Sequence, residues 1–338
     1  MNRPNLFRHA TSELSQDAVL CWLLAWADAS CATIDPEMHA VGRAFLEMLY
    51  RLPGKDVVEM PPLDISVRIF RQKGHTDIVA EIGEADLLVI EDKTDTSHHD
   101  DQLKRYREAL AAKYPNRRFI GVYLKTGDEA SYEYATRLGW AVCRRRTLLD
   151  ALRSRVETPS NAILADFIAH LDAIDMAVEA YAHTPVAAWN ERAWSGFYIA
   201  LRERLGEGWW GYVANPTGGF MGYWWSPREI DGASVYVQLE QDQLVVKVDF
   251  RNSTKSASDW TTRVVAGLAG VGIQRPKRLG HGRTAIVGLW RGDYRAVRQD
   301  GMLDLAVTSA RLNDIAKGLE ALSVAPPIAA PEASIESS

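Results

Sequence analysis

HTDIVAEIGEADLLVIEDKTDTSHHDDQLKRY, residues 75–106, is the stretch whose reading decides the fold. An acid, Asp77, opens an apolar run that lasts to Ile82. Gly83-Glu84-Ala85 makes a turn, and a second apolar run, Asp86–Ile90, ends in Glu91-Asp92-Lys93. Side chains alternate between faces along a strand, so Leu87, Val89, Glu91 and Lys93 share one face and Leu88, Ile90 and Asp92 the other. Both faces are apolar as far as Ile90, which makes this an interior strand with charge expected only where it emerges. A hairpin turning at Gly83–Ala85 returns Asp77 to the side of Glu91. Two carboxylates and an ammonium then converge at one sheet edge. After a polar loop, a helix over Asp101–Tyr114 carries Gln102 and turns Leu103, Tyr106, Ala109 and Leu110 inward.

Packing supplies no reason for such a cluster. Carboxylates held together repel, and each raises the pKa of the other unless a cation sits between them. A hard ion such as Mg2+ or Mn2+ meets that need, since it takes oxygen ligands, keeps several waters and binds phosphate. It also lowers the pKa of a bound water and neutralises charge on phosphorus oxygens. Asp77 and Glu91 are therefore the expected ligands, and Lys93 the expected catalytic base or transition-state stabiliser.

Outward from this centre the chain alternates helices and strands. Thr11-Ser12-Glu13 offers a helix N-cap after a short polar lead, Met1–His9, and Leu14, Ala18, Cys21, Trp22, Ala25 and Trp26 recur at helical spacing. Glu13 has two readings: a first-turn acid favoured by the helix dipole, or an outer carboxylate of the metal site. Pro36 opens a second helix, ended by Pro53-Gly54. Val57–Met60 and Ile65–Arg71 read as extended, Arg118–Thr126 as a buried strand and Tyr132–Leu138 as a short helix. Gly139–Arg145 reads as a strand, and Thr147–Val156 as the helix after it. That order implies an α/β fold with a mixed sheet covered by helices.

Asp77, then Glu91-Asp92-Lys93 on the next strand, then Gln102 and Tyr106 on the following helix, together resemble the PD-(D/E)XK nuclease superfamily. The Gln-x-x-x-Tyr addition resembles its RecB-like and lambda-exonuclease-like branch. The resemblance covers residues 5–155, with Thr76 standing where the family name has proline. It implies a restriction-endonuclease-like mixed central sheet flanked by helices, and a Mg2+- or Mn2+-dependent nuclease acting on DNA in repair, restriction or defence against mobile DNA. It also implies that Gln102 positions the active site or the nucleic-acid backbone, as does Tyr106, and makes Glu13 the candidate for a further metal ligand. The alternative is a nuclease fold that no longer cleaves and only binds nucleic acid or protein.

Charge is distributed to suit. Residues 56–99 hold ten acids against four Lys or Arg, and residues 100–155 hold thirteen Lys or Arg against seven acids. An acidic centre followed by basic sequence fits a metal site beside a phosphate-gripping surface, with Lys104, Arg105, Arg144 and Arg145 as the candidate contacts. Solvated surface charge is the plainer reading of the same numbers. The overall net charge of −5 argues against a protein that merely coats nucleic acid. His98-His99 and His75 read first as solvated, and only second as ligand or substrate contacts.

Three cysteines without a Cys-x-x-Cys pair support neither a disulfide framework nor structural zinc, so a reducing cytoplasm is expected. Cys21 and Cys143 lie in apolar runs and are expected in the core. No run is long and apolar enough to span a membrane. Residues 1–183 are read as the nuclease-like domain, ending in a helix over Asn161–Ala182. Residues 186–324 are read as an α+β accessory domain, and 325–338 as a disordered tail. In the second domain Trp189, Trp194, Trp209, Trp210, Trp224 and Trp225 crowd together. Core or interface is the favoured reading of these rings, with base stacking second, and the domain is the expected route to a protein partner or a second copy. A helix over Trp189–Leu205, a loop-rich stretch, a hairpin turning at Gln241-Asp242, a helix near Trp260–Gly270, a strand at Ala285–Trp290 and a final helix over Leu303–Leu322 complete the expectation.

Overall fold

The computed structural model describes residues 4–52, 59–71, 76–95, 101–215, 218–250, 253–279 and 282–324. Val57, His75, His98, His99 and the tail 325–338 lie outside the described residues. The chain divides into two compact units, Met1–Met176 and Ala177–Ser338.

In the first unit, helices α1 (Glu13–Trp26) and α2 (Pro36–Arg51) precede strands β1 (Val67–Arg71), β2 (Ile78–Ile82) and β3 (Asp86–Lys93). Helix α3 (Gln102–Lys113), β4 (Arg118–Lys125), α4 (Glu133–Arg137), β5 (Ala141–Arg144) and α5 (Arg145–Arg153) follow, and then α6 (Ala162–Glu179), within which the division after Met176 falls. Among the described residues the strands form one sheet in the order β1-β2-β3-β4-β5, antiparallel from β1 to β3 and parallel from β3 to β5. This is the mixed, helix-covered α/β sheet expected from the sequence.

Each face of the sheet owns a core. Ile78, Ala80, Leu88 and Ile90 pack with Leu20, Leu23, Phe45 and Leu148 from the helices α1, α2 and α5. Val79, Leu87 and Val89 pack on the other face with Leu103 and Leu110 of α3 and with Trp140. Strand β3 is therefore buried on both sides, and its burial does not stop at Ile90. Glu91 and Asp92 are 0 % exposed and Lys93 6 %. Charge was expected only where the strand emerges; instead the flanking helices reach past the apolar run and enclose it.

Several local expectations are corrected. The buried face of α1 is not Leu14, Ala18, Cys21 and Trp22 but Gln16, Asp17, Val19, Leu20, Leu23 and Leu24, and Leu14 is 49 % exposed. The helix is apolar over most of its circumference, so periodicity admits two stripes, and contact with α2, β1 and β3 selects one. The N-terminal lead is not simply polar: Phe7 is buried, its ring centroid 5.2 Å from that of Phe167. Ala109 faces solvent on α3. All three cysteines are free thiols, Cys143 buried and Cys21 half-buried.

The second unit contains α7 (Glu191–Leu205), β6 (Trp209–Asn215), β7 (Gly218–Ile230), β8 (Ala233–Glu240), β9 (Gln243–Asp249), α8 (Ala257–Leu268), β10 (Ile273–Gln274), β11 (Thr284–Trp290) and α9 (Leu305–Val324). Its strands form an antiparallel sheet in the order β10-β11-β9-β8-β7-β6. The stretch expected to be loop-rich is in fact the ribbon β6–β7. Its Trp, Tyr and Phe favour extended backbone, and two of its glycines, Gly211 and Gly222, face one another within the ladder rather than in turns.

Candidate active site

The site is assembled where β2, β3, α1 and α3 meet. Ile78 lies opposite Ile90, which sets Asp77 beside Glu91. Lys93 Nζ donates to Glu91 Oε1 at 2.6 Å, to the Asp92 carbonyl at 3.0 Å and to Asp77 Oδ2 at 3.4 Å. Three acceptors around one nitrogen are what an ammonium requires. Asp77 is held in turn by the Asp92 backbone N–H, at 2.9 Å. From α3, Gln102 Nε2 donates to the same Glu91 Oε1 at 2.7 Å and to the Tyr106 hydroxyl at 2.8 Å. The Gln-x-x-x-Tyr spacing works because residues four apart share one helix face.

Both donors to Glu91 thus take Oε1. The other oxygen, Oε2, is buried without a hydrogen-bond partner among the described residues, as are Asp92 Oδ2 and Asp17 Oδ1. The opposite end of β3 shows what a structural acid looks like in the same sheet. There Asp86 accepts from Arg118 at 2.7 and 2.8 Å and from Tyr50 at 2.6 Å, using both oxygens. Buried polar atoms are nearly always bonded, so an orphaned carboxylate oxygen is a place for a water, a proton or an ion.

The electrostatics agree. Burial, and then the neighbouring Asp77, push the Glu91 carboxyl up to about 7 against the pull of Lys93. Asp92, fully enclosed, lies well above the usual carboxylate range because of burial, despite its bond from Gln16, with Asp17 and Asp77 adding to the rise. Burial acts downward on the Lys93 ammonium, but the charge of Glu91, its hydrogen bond and Asp77 together carry the net shift upward. Among the described residues, no three His, Cys, Asp or Glu side chains already stand together as a metal cage. The set does fit a hard divalent ion held by two carboxylates and completed by water: its donors are all oxygen, and one of them is orphaned.

The remaining sequence candidates separate. Glu13 reaches the end of β3, where its Oε1 accepts from the Thr94 backbone N–H at 3.1 Å. Lys104 and Arg105 are exposed on α3. Arg144 is exposed, its guanidinium 4.6 Å from the Tyr132 ring centroid. Arg145 is a correction. It was expected at the surface gripping phosphate, yet it is 5 % exposed and committed inside the fold, to Asp175 at 2.6 Å, Asp128 at 3.0 Å and the Thr126 carbonyl. The strand ends at Arg144, one residue before the expected Arg145, and this side chain belongs to the first turn of α5.

Two residues escaped the sequence reading. Gln16 bridges Asp92 Oδ1 at 2.6 Å and the Thr126 hydroxyl at 2.8 Å, and Asp17 is buried beside it, pushed up to about 6 by burial and then by Asp77. The available signal was spacing: positions 16 and 17 lie three and four residues after Glu13, on the same helix face. Lys125, in register with Lys93 on β4, is also buried.

A family model described as the PD-(D/E)XK nuclease superfamily matches residues 13–183. The chain belongs to that superfamily. No curated protein and no solved structure matches the chain.

Proposed function

We propose that this protein is a divalent-metal-dependent nuclease that hydrolyses phosphodiester bonds in DNA. The observation that carries the reading is the split use of Glu91: Lys93 and Gln102 occupy Oε1, and the buried Oε2 has no partner among the described residues. Asp77 and Glu91 would hold the ion. When bound, it supplies charge neutralisation at the phosphate and a water of lowered pKa. Lys93, with three acceptors around its nitrogen, acts as a fixed positive charge for phosphorus oxygens rather than as a base. Gln102 holds Glu91 in place, and Tyr106 orients Gln102. Lys104, Arg105 and Arg144 are exposed cations available to phosphates.

The test is cleavage of single- and double-stranded DNA, and of RNA, by wild type and Lys93→Ala in Mg2+, in Mn2+ and in chelator. Metal-dependent DNA cleavage that the variant loses supports the reading. Tight binding without cleavage of any substrate would replace it with a nuclease-fold binding protein.

A further inference from the structure

The aromatic side chains of the second unit fall into two groups. Trp189, Trp194, Phe197, Tyr198, Tyr223 and Trp225 pack ring against ring, with successive centroids 4.9 to 6.0 Å apart. Trp209, Trp224 and Tyr236 make no ring contact among the described residues, and they line a cavity of about 520 Å³ on one face of the sheet. The register places them there. Trp209 lies opposite Trp224, Trp224 opposite Gln238, and Tyr236 is two residues from Gln238 on the same face of β8. Trp209 is 48 % exposed, so its ring is open to solvent.

The polar lining narrows the occupant. Gln238 is 5 % exposed; its Nε2 is tied to Glu240 at 3.0 Å, while its Oε1 has no partner among the described residues. Asp249 is already offset by Arg283 at 3.2 Å. Among the described residues no Lys or Arg lines the cavity, whose acids are Glu207 and Asp249, so phosphate is not drawn into it. Free ring faces and one amide oxygen without a partner among the described residues suit a flat, uncharged heteroaromatic ring that carries a hydrogen-bond donor. The volume is that of a small-ligand pocket, roughly 300–1,000 Å³.

We propose that this cavity receives unpaired nucleobases of a single-stranded segment, stacked on Trp209 and Trp224 with their phosphates outside. In a duplex the base faces are covered by their neighbours, so only unpaired bases can enter. The proposal rests on the nuclease reading and adds single-stranded substrate to it.

The experiment uses the full chain in chelator. Uncharged deoxynucleosides, a fluorescent single-stranded oligonucleotide and its duplex are titrated against wild type, Trp209→Ala, Trp224→Ala and Gln238→Ala. Nucleosides should bind saturably, and each Trp variant should bind the single strand about 5- to 150-fold more weakly, at roughly 1–3 kcal/mol per stacked base. Duplex affinity should move less than about two-fold over the same series. Exposed Trp209 guards against loss of folding at Trp224. Wild-type single-strand affinity in a Trp209→Ala protein that melts like wild type overturns the proposal, as does binding of trimethylammonium compounds in preference to nucleosides. Cleavage by wild type with normal binding by the Trp variants sinks the cavity and leaves the nuclease; nucleoside binding without metal-dependent cleavage does the reverse.

Discussion

The two sheets carry their chemistry in different places. The sheet of the first unit concentrates charge at the end of one strand, where Asp77, Glu91, Asp92 and Lys93 lie within one network. The sheet of the second unit spreads aromatic and amide groups across a face, at alternate positions of β6, β7 and β8. A strand-end cluster comes from one hairpin of the chain and burying it is costly, so each group must be bonded or await a ligand. A face is built from rings that lose little by standing open, and its members are scattered through the sequence.

That contrast can be broken at several points. The largest effect is expected at the strand end: Lys93→Ala or Glu91→Ala should reduce single-turnover cleavage by about 10³-fold or more, the scale of losing a preorganised charge at the reacting phosphate. Cleavage within ten-fold of wild type would remove these residues from the chemistry.

On the second sheet, stability should separate the covered ring from the open one. Trp225, 2 % exposed, should cost about 3–5 kcal/mol when changed to Ala. Trp209→Ala should cost within about 0.5 kcal/mol, both read from urea unfolding. Equal losses would mean that the open face is part of the core.

A positioning role predicts an intermediate loss. Gln102→Ala should lower cleavage about 10- to 100-fold, as removal of a group that orients a metal ligand does, and should raise the Mg2+ concentration needed for half-maximal rate. A fall in rate with unchanged metal dependence would deny it that role.

The smallest effect concerns pH. Asp17 is pushed up to about 6, by burial first and then by Asp77, so the native state holds its proton more tightly than the unfolded chain does. Native protein then binds more protons than unfolded chain between about pH 4 and pH 6, and stability falls as pH rises through that window. In chelator, Asp17→Asn should be more stable than wild type at pH 8 by about 1–2 kcal/mol, with the gain vanishing near pH 4. A gain that does not change with pH would show that the charge is not the cause.

The hairpin and the partition of β3 were legible because a strand's period of two is rigid: Leu87, Val89, Glu91 and Lys93 had to share a face, and Gly83 had to turn. Helix α1 was not legible to the same degree. Its apolar residues cover more than one stripe, and the choice that buries Gln16 and Asp17 depends on β3 lying against it. The β6–β7 ribbon was missed because glycine reads as a turn signal, whereas Gly211 and Gly222 sit opposite each other in a ladder.

The sequence alone put forward the residue set Asp77, Glu91, Lys93, Gln102 and Tyr106, the first three from strand alternation across a hairpin and the last two from the family resemblance. Only the tertiary structure decided that Glu91 and Asp92 are wholly enclosed, that Arg145 is spent on Asp128 and Asp175, and that one Glu91 oxygen has no partner among the described residues. Burial and hydrogen-bond satisfaction depend on elements distant in the chain, and no local period encodes them.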